Sequence, residues 1–304
     1  MNKLITALVV LVVAGAGYYY LFSNKAITEV ADVAKDQVAS TVTSLTDKEK
    51  AEVEKKNLEE TVIGQSVEGR SITAYHYGAG EKELLFVGGI HGGYSWNTVL
   101  VAYEMMDYLK AKPSVIPSNV KVTIIPVLNP DGLYKVVGSA GRFSASDVPT
   151  KLEDTIAGRF NANTVDLNRN FDCDWKSSGK WQNKTVSGGG RAFSESESQA
   201  LRDYVETHKL AAVVTYYSAA GGVYASSCGN GISTETRTIM KEYADSSGYS
   251  AYDDFDFYEI TGDMVNWLAK KDIPAISVLL TNHTDTEWVK NQKGLEALLK
   301  YYDK

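Results

Sequence analysis

The stretch ELLFVGGIHGGYSWNT, residues 83–98, carries an apolar run into paired glycines around one histidine, and a helical pattern follows at once. KELLFVGGI, residues 82–90, has the composition and length of a strand. TVLVAYEMMDYLKAK, residues 98–112, repeats its apolar residues at helical spacing, with Asn97 or Thr98 placed to cap it. Strand, tight turn and helix in that order indicate an α/β protein. What the turn lacks is equally informative. A histidine delivered to such a turn suits a metal ligand, yet Gly92, Gly93, Tyr94 and Ser95 behind it include no carboxylate.

The same rhythm runs outward from this unit. SITAYHYG (71–78), VKVTIIPVL (120–128), LAAVVTYYS (210–218) and PAISVLLT (274–281) read as strands. The last two are apolar on both faces, as strands in the middle of a largely parallel sheet must be. Asn-Pro-Asp-Gly at 129–132 is a turn signal, and a Ser/Gly-rich loop is expected over 176–191. Ser194 and Glu197 have capping-box spacing ahead of SQALRDYVETHK, 198–209. EWVKNQKGLEALLKYY, 287–302, is an amphipathic closing helix.

The chain has 304 residues, 44% hydrophobic and 23% charged, enough to bury a large core. A net charge of −7 without a Lys/Arg-rich block argues against a nucleic-acid partner. Leu4 to Phe22 contains no charged residue and is long enough to cross a bilayer as a helix, which needs roughly 20 residues. Tyr18, Tyr19 and Tyr20 suit its interface, and Lys3 before it orients the rest outward. The expected organisation is therefore a membrane anchor over 1–22, a polar helical stalk over 23–60, and one α/β domain over 61–304. Cleavage after Ala14, Gly15 and Ala16, giving a secreted protein, is the alternative. Cys173 and Cys228 are the only cysteines; outside the cytoplasm they can pair, and two buried thiols are the other reading.

Several fragments converge on one resemblance. PVLNPDG (126–132), GRFNANTVDLNRNFD (158–172), FSESES (193–198), YSAAGGVYASSCG (217–229) and YEITGDMVNWL (258–268) follow the His91 turn in order. From residue 61 to the end the chain resembles the zinc carboxypeptidases of the carboxypeptidase A type. The resemblance implies a three-layer α/β/α fold with a mixed, mostly parallel sheet of about eight strands and a cleft at the strands' carboxyl ends. It also implies a zinc held by two histidines and a glutamate with an open position for water, and a second glutamate as base. Asn168 and Arg169 fall on the grip for a substrate's terminal carboxylate, Arg159 on the oxyanion position, Tyr258 on the closing tyrosine, and Val265 on the deep specificity position. Val265 suggests apolar rather than basic side chains, which the neighbouring Asp263 blurs.

The metal positions depart from the pattern. His91 matches the first ligand. Aligning on Trp96 puts Ser95 in the glutamate's place, whereas counting from the histidine gives Tyr94. Tyr217 stands where the second histidine belongs, and Leu279 where the base belongs. His283 and Glu287, in NHTDTEW, are the nearby residues that could rebuild a metal site, with a capping loop as the alternative. The expectation is a membrane-tethered pseudo-carboxypeptidase that binds peptide C-termini and needs no cofactor. An active zinc carboxypeptidase trimming peptides or cell-wall stem peptides, and an adhesion or scaffold domain, are the competing readings.

Overall fold

The computed structural model describes residues 59–304. The apolar stretch over 4–22 and nearly all of the polar segment lie outside the described residues, among which no helix is long and apolar enough to cross a membrane. Ten strands form. They are β1 Glu60–Gln65, β2 Ser71–Tyr77, β3 Lys82–Val87, β4 Val120–Ile125, β5 Ser178–Trp181, β6 Lys184–Ser187, β7 Leu210–Ser218, β8 Gly222–Ala225, β9 Ala251–Tyr252 and β10 Ala275–Leu280. The longer helices are α1 Trp96–Ala111, α2 Pro130–Val137, α3 Ser196–Thr207, α4 Thr234–Ser247, α5 Met264–Lys270 and α6 Trp288–Tyr302.

Eight strands make one mixed sheet in the order β1-β2-β4-β3-β7-β10-β8-β9, and β5 with β6 forms a separate hairpin. The centre, β4-β3-β7-β10, is parallel throughout. β1, β2 and β8 run antiparallel to their inner neighbours. Side chains of these central strands alternate between two apolar layers. Leu84, Phe86, Val214, Tyr216, Ile276 and Val278 pack under α1, α4 and α6. Leu85, Val87, Val213, Tyr217, Ala275 and Leu279 pack under α3 and α5. The larger of these side chains contribute about 2 kcal/mol each through removal from water, and in AISVLL only Ser277 is polar. Three layers, α/β/α, result.

Local detail corrects several expectations. Helix α1 begins at Trp96 behind Ser95, whose side chain makes no capping bond. Asn97 and Thr98 are instead buried within the first turn, bonded to the 282–285 loop and to Ser95 O respectively. Asn-Pro-Asp-Gly opens α2 rather than a simple turn: Asn129 accepts from Gly132 N at 2.8 Å, and Pro130 takes the first helical position, where its missing N–H costs nothing. The Ser194–Glu197 box does not form. Glu195 precedes α3, Ser194 Oγ donates to Glu195, and Glu197 turns inward to Asn161 and Val67 N. The loop over 176–191 contains the β5–β6 hairpin, turned by Gln182 and Asn183, with Gln182 at φ 53°.

Two motifs act as joints. Asn170 donates to Gly188 O, Arg191 O and Ser194 Oγ, and accepts from Glu195 N and Ser198 Oγ, so one amide ties the Asn-Arg turn to the Ser/Gly loop and to α3. Gly92, Gly132 and Gly158 meet backbone to backbone beneath the His91 turn. A Cβ on Gly132 would lie 2.3 Å from Gly158 O, and one on Gly92, at φ +42°, 2.6 Å from the same oxygen. Only glycine allows that approach.

Candidate functional site

A cleft of about 820 Å³ opens at the carboxyl ends of β3, β7 and β10. From β3 the chain moves to β4 on one side, whereas from β7 it moves to β8, beyond β10 on the other side, so the crevice lies where the strand order reverses.

His91 stands at the head of the cleft, buried, just beyond β3. Its Nε2 lies 3.2 Å from Asp166 Oδ1, while Nδ1 is buried with no hydrogen-bond partner. Burial, reinforced by the charge of Arg159, lowers its pKa to about 4 against the pull of Asp166. The ring is therefore neutral at pH 7, with Nε2–H directed at the carboxylate and a lone pair left on Nδ1. Asp166 is fully buried. Desolvation alone would raise its pKa, but Arg159 and His91 hold it well below the usual carboxylate range. Its Oδ2 accepts from Arg159 Nε at 3.0 Å and Nη2 at 2.8 Å, and its Oδ1 accepts from Asn168 N at 3.1 Å. Arg159 lines the cleft with its charge already matched, and its guanidinium also lies 4.4 Å from the Trp181 ring centre.

Arg169 differs. It is only 1% exposed, yet no carboxylate lies within ion-pair distance among the described residues. Its Nε and Nη2 donate to Lys180 O at 3.2 and 2.7 Å, and its Nη1 to Asn168 O at 2.6 Å. The hairpin therefore sets the guanidinium's orientation through a backbone carbonyl. Asn168 Oδ1 accepts from Tyr217 OH at 3.1 Å and from Met264 N at 3.2 Å, joining the Asn-Arg turn to β7 and to the start of α5. Tyr258 lines the cleft with its ring centre 5.8 Å from the Arg169 guanidinium, packed edge-on against Phe255.

Tyr217 and Leu279 are direct register partners on β7 and β10, and both face the cleft. The Tyr217 ring lies 5.7 Å from His91, and burial pushes its phenol well above its ordinary value of 10. Of the two residues that compete for the place after His91, Tyr94 lines the cleft and Ser95 does not; Ser95 Oγ is buried beneath without a partner. Tyr94 packs against Trp181 at 5.0 Å and His283 at 4.7 Å between ring centres, and burial raises its pKa. His283 and Glu287 part company. His283 joins Tyr94 at the cleft wall, whereas Glu287 accepts from Thr281 N at 2.7 Å and Tyr249 OH at 3.0 Å ahead of α6. Val265 lines the cleft from α5 beside Asp263, the residue capping that helix. Among the described residues, three His, Cys, Asp or Glu ligand atoms come together only at Cys173, Asp174 and Cys228, where the sulfurs are joined as a disulfide.

Asp166 is the main functional residue that motif reading left unassigned. The available signal was an aspartate two residues before an Asn-Arg pair, a position suited to capping a turn. Trp181 carried no signal, because its hairpin lay inside a stretch that reads as loop.

The zinc carboxypeptidase sequence profile matches residues 48–296, most of the chain. The chain belongs to the zinc carboxypeptidase family. Among curated members it is 30% identical to human carboxypeptidase Z over 122 residues, which are 36% of this chain and 17% of that protein. A zinc carboxypeptidase of Simulium vittatum is 28% identical over 160 residues, half of each chain. The chain thus spans half or less of these curated relatives. Among solved structures, carboxypeptidase A from Helicoverpa armigera superimposes with a TM-score of 0.63 at 17% identity, covering 91% of this chain and 80% of that one. A murein-tripeptide amidase from Escherichia coli gives 0.56 at 19% identity, covering 79% and 91%. At these identities the structural likeness is one of fold.

Proposed function

We propose that this protein is a membrane-tethered, extracytoplasmic zinc-carboxypeptidase-fold protein that captures peptide C-termini without hydrolysing them. One observation carries the reading: Arg169 is a buried cation in the cleft with no carboxylate within ion-pair distance among the described residues. Three of its five N–H groups are bonded to backbone carbonyls, which leaves two for a ligand. Burying a guanidinium without an anion is unfavourable, and a terminal carboxylate supplies the anion in the bidentate geometry that arginine matches best. Asn168 and Tyr258 flank the position.

The donor set around His91 does not fit a catalytic zinc. His91 Nδ1 suits one bond to a metal. The remaining candidates are phenols held above their ordinary pKa, Tyr94 and Tyr217, the alcohol of Ser95, and the hydrocarbon of Leu279 in the base position. Zinc sites of this type need deprotonated or neutral-nitrogen ligands, and a base must accept a proton. Membrane tethering rests on the apolar stretch Leu4 to Phe22.

Titration calorimetry with short peptides and their C-terminal amides tests the proposal. Free acids are expected to bind at least about tenfold more tightly than amides, and Arg169→Gln to remove the difference. Equal affinity for acid and amide, or binding of neither, sinks the reading. Stoichiometric zinc together with release of C-terminal residues would establish the enzyme instead.

A further inference from the structure

The two ring nitrogens of His91 have different fates, and the carboxylate beside the ring decides which one carries the proton. Asp166 Oδ2 accepts from Arg159 Nε and Nη2, and Oδ1 accepts from Asn168 N, so this carboxylate offers only lone pairs. His91 Nε2, 3.2 Å from Oδ1, is therefore the donor. The lone pair falls to Nδ1, which is buried without a partner in a cleft-lining residue only 4% exposed. Asp166 is not among the residues that line the cleft.

The neighbouring side chains leave that acceptor unmatched. The ring against it is that of Tyr217, 5.7 Å away between centres, and the Tyr217 hydroxyl gives its proton to Asn168 Oδ1 at 3.1 Å. Asn168 Oδ1 is fixed as an acceptor, because Met264 N donates to it as well. Leu279, the register partner of Tyr217, has no polar side-chain atom. A buried acceptor without a donor is unfavourable, and a ligand that brings an N–H removes the cost.

Tyr217 connects this acceptor to the anion position. Its ring lies on His91, while its hydroxyl is bonded to Asn168, whose backbone carbonyl accepts from Arg169 Nη1. Along that line the cleft presents two N–H groups for an anion and then one lone pair for a donor. The last residue of a polypeptide carries the matching pair on either side of one Cα, its carboxylate and its own backbone N–H. A side-chain donor would occur in only some sequences, whereas this N–H belongs to the same residue whose carboxylate Arg169 holds.

We infer that the backbone N–H of the ligand's last residue donates to His91 Nδ1, so that the cleft selects a terminal peptide bond over a terminal ester. This rests on the carboxylate-binding reading and adds a second point of recognition to it. His91 is then a specificity-determining residue for binding, with Asp166 positioning its ring.

Calorimetry on the full-length protein in EDTA compares acetyl-Ala-Ala-Ala with acetyl-Ala-Ala-lactate, both as free acids, the second having an ester oxygen in place of the last N–H. The peptide is expected to bind about tenfold or more tightly than the ester. His91→Gln keeps an amide N–H for Asp166 but removes the acceptor at Nδ1, and should bring the two ligands within about threefold. Equal binding of the two acids, or tighter binding of the ester, overturns the inference and leaves carboxylate capture standing. A peptide preference that survives His91→Gln, or that appears only when zinc is added, also overturns it. Binding of neither acid removes the carboxylate reading itself. Should the variant fail to fold, nitrogen NMR of the natural protein replaces it: the His91 Nδ1 resonance should move on addition of the peptide and not of the ester, and equal shifts with both overturn the inference.

Discussion

Asp263 should cost the fold stability at neutral pH, and the cost can be worked out. Burial raises its pKa from 3.8 to about 6, with Arg169 and the capping bond opposing the rise. A gap of about two pH units, at about 1.4 kcal/mol each, amounts to about 3 kcal/mol. The sign follows from which state holds the proton. Below about pH 4 the carboxyl is protonated in both folded and unfolded chains, and no penalty arises. Between about pH 4 and 6 the unfolded chain releases its proton while the folded chain keeps it, so stability falls as pH rises. Above about pH 6 both are ionised and the full penalty remains. Asp263→Asn keeps an oxygen for the Asn266 N–H and removes the titration. Urea unfolding, followed by the fluorescence of buried Trp267, should show the variant nearly matching the natural protein at pH 4 and exceeding it by about 3 kcal/mol at pH 8. Parallel pH profiles for the two proteins, or a variant that is weaker at pH 8, would refute the argument.

Three further outcomes are expected. Asp166→Asn leaves Arg159 buried without its counter-charge and should destabilise the protein by about 3–5 kcal/mol in the same assay, with a change under about 1 kcal/mol showing that the pair is not what holds this corner. Replacing both Cys173 and Cys228 by serine opens a loop of 55 residues and should cost about 4 kcal/mol, read as a lowered urea midpoint. Tyr94→Glu combined with Tyr217→His should create a stoichiometric zinc site with His91, measurable by metal analysis after dialysis, whereas Ser95→Glu in place of Tyr94→Glu should not, because Ser95 lies beneath the cleft wall rather than on it.

Much of the fold could be read from the chain because its central strands are apolar on both faces, a pattern that forces a covered parallel sheet. LAAVVTYYS and AISVLL became β7 and β10 almost residue for residue. Edges and caps were harder. β1 carries Glu60 and Thr61 with no clean alternation, since its outer face meets solvent, and the β5–β6 hairpin is turned by Gln182 and Asn183 rather than by Asn-Gly. Asn97 looks like a cap but is recruited by the distant 282–285 loop, which no local rule foresees, and Thr98 lies inside the first turn with its hydroxyl on Ser95 O. At the site, the motif located Arg159, Asn168, Arg169 and Tyr258 in one cavity, but not that Arg159 is neutralised by Asp166 while Arg169 is left unmatched. That distinction depends on which carboxylate the folded chain brings within reach. The choice between Tyr94 and Ser95 likewise depends on how the turn leaves β3, and sequence alignment alone left both open.

On the carboxylate-capture proposal, the disulfide has a meaning for recognition as well as for folding. Cys173 follows the Asn-Arg turn and Cys228 follows β8, and their neighbours Asp174, Ser227 and Gly229 line the cleft. Two irregular segments that a ligand would otherwise have to order on arrival are joined by a bond before it comes. The entropy of arranging them is spent during oxidative folding, not at each encounter, so a short peptide tail can retain more of its contact energy as affinity. Under reducing conditions that advantage should fade first in the dissociation rate, before any loss of secondary structure.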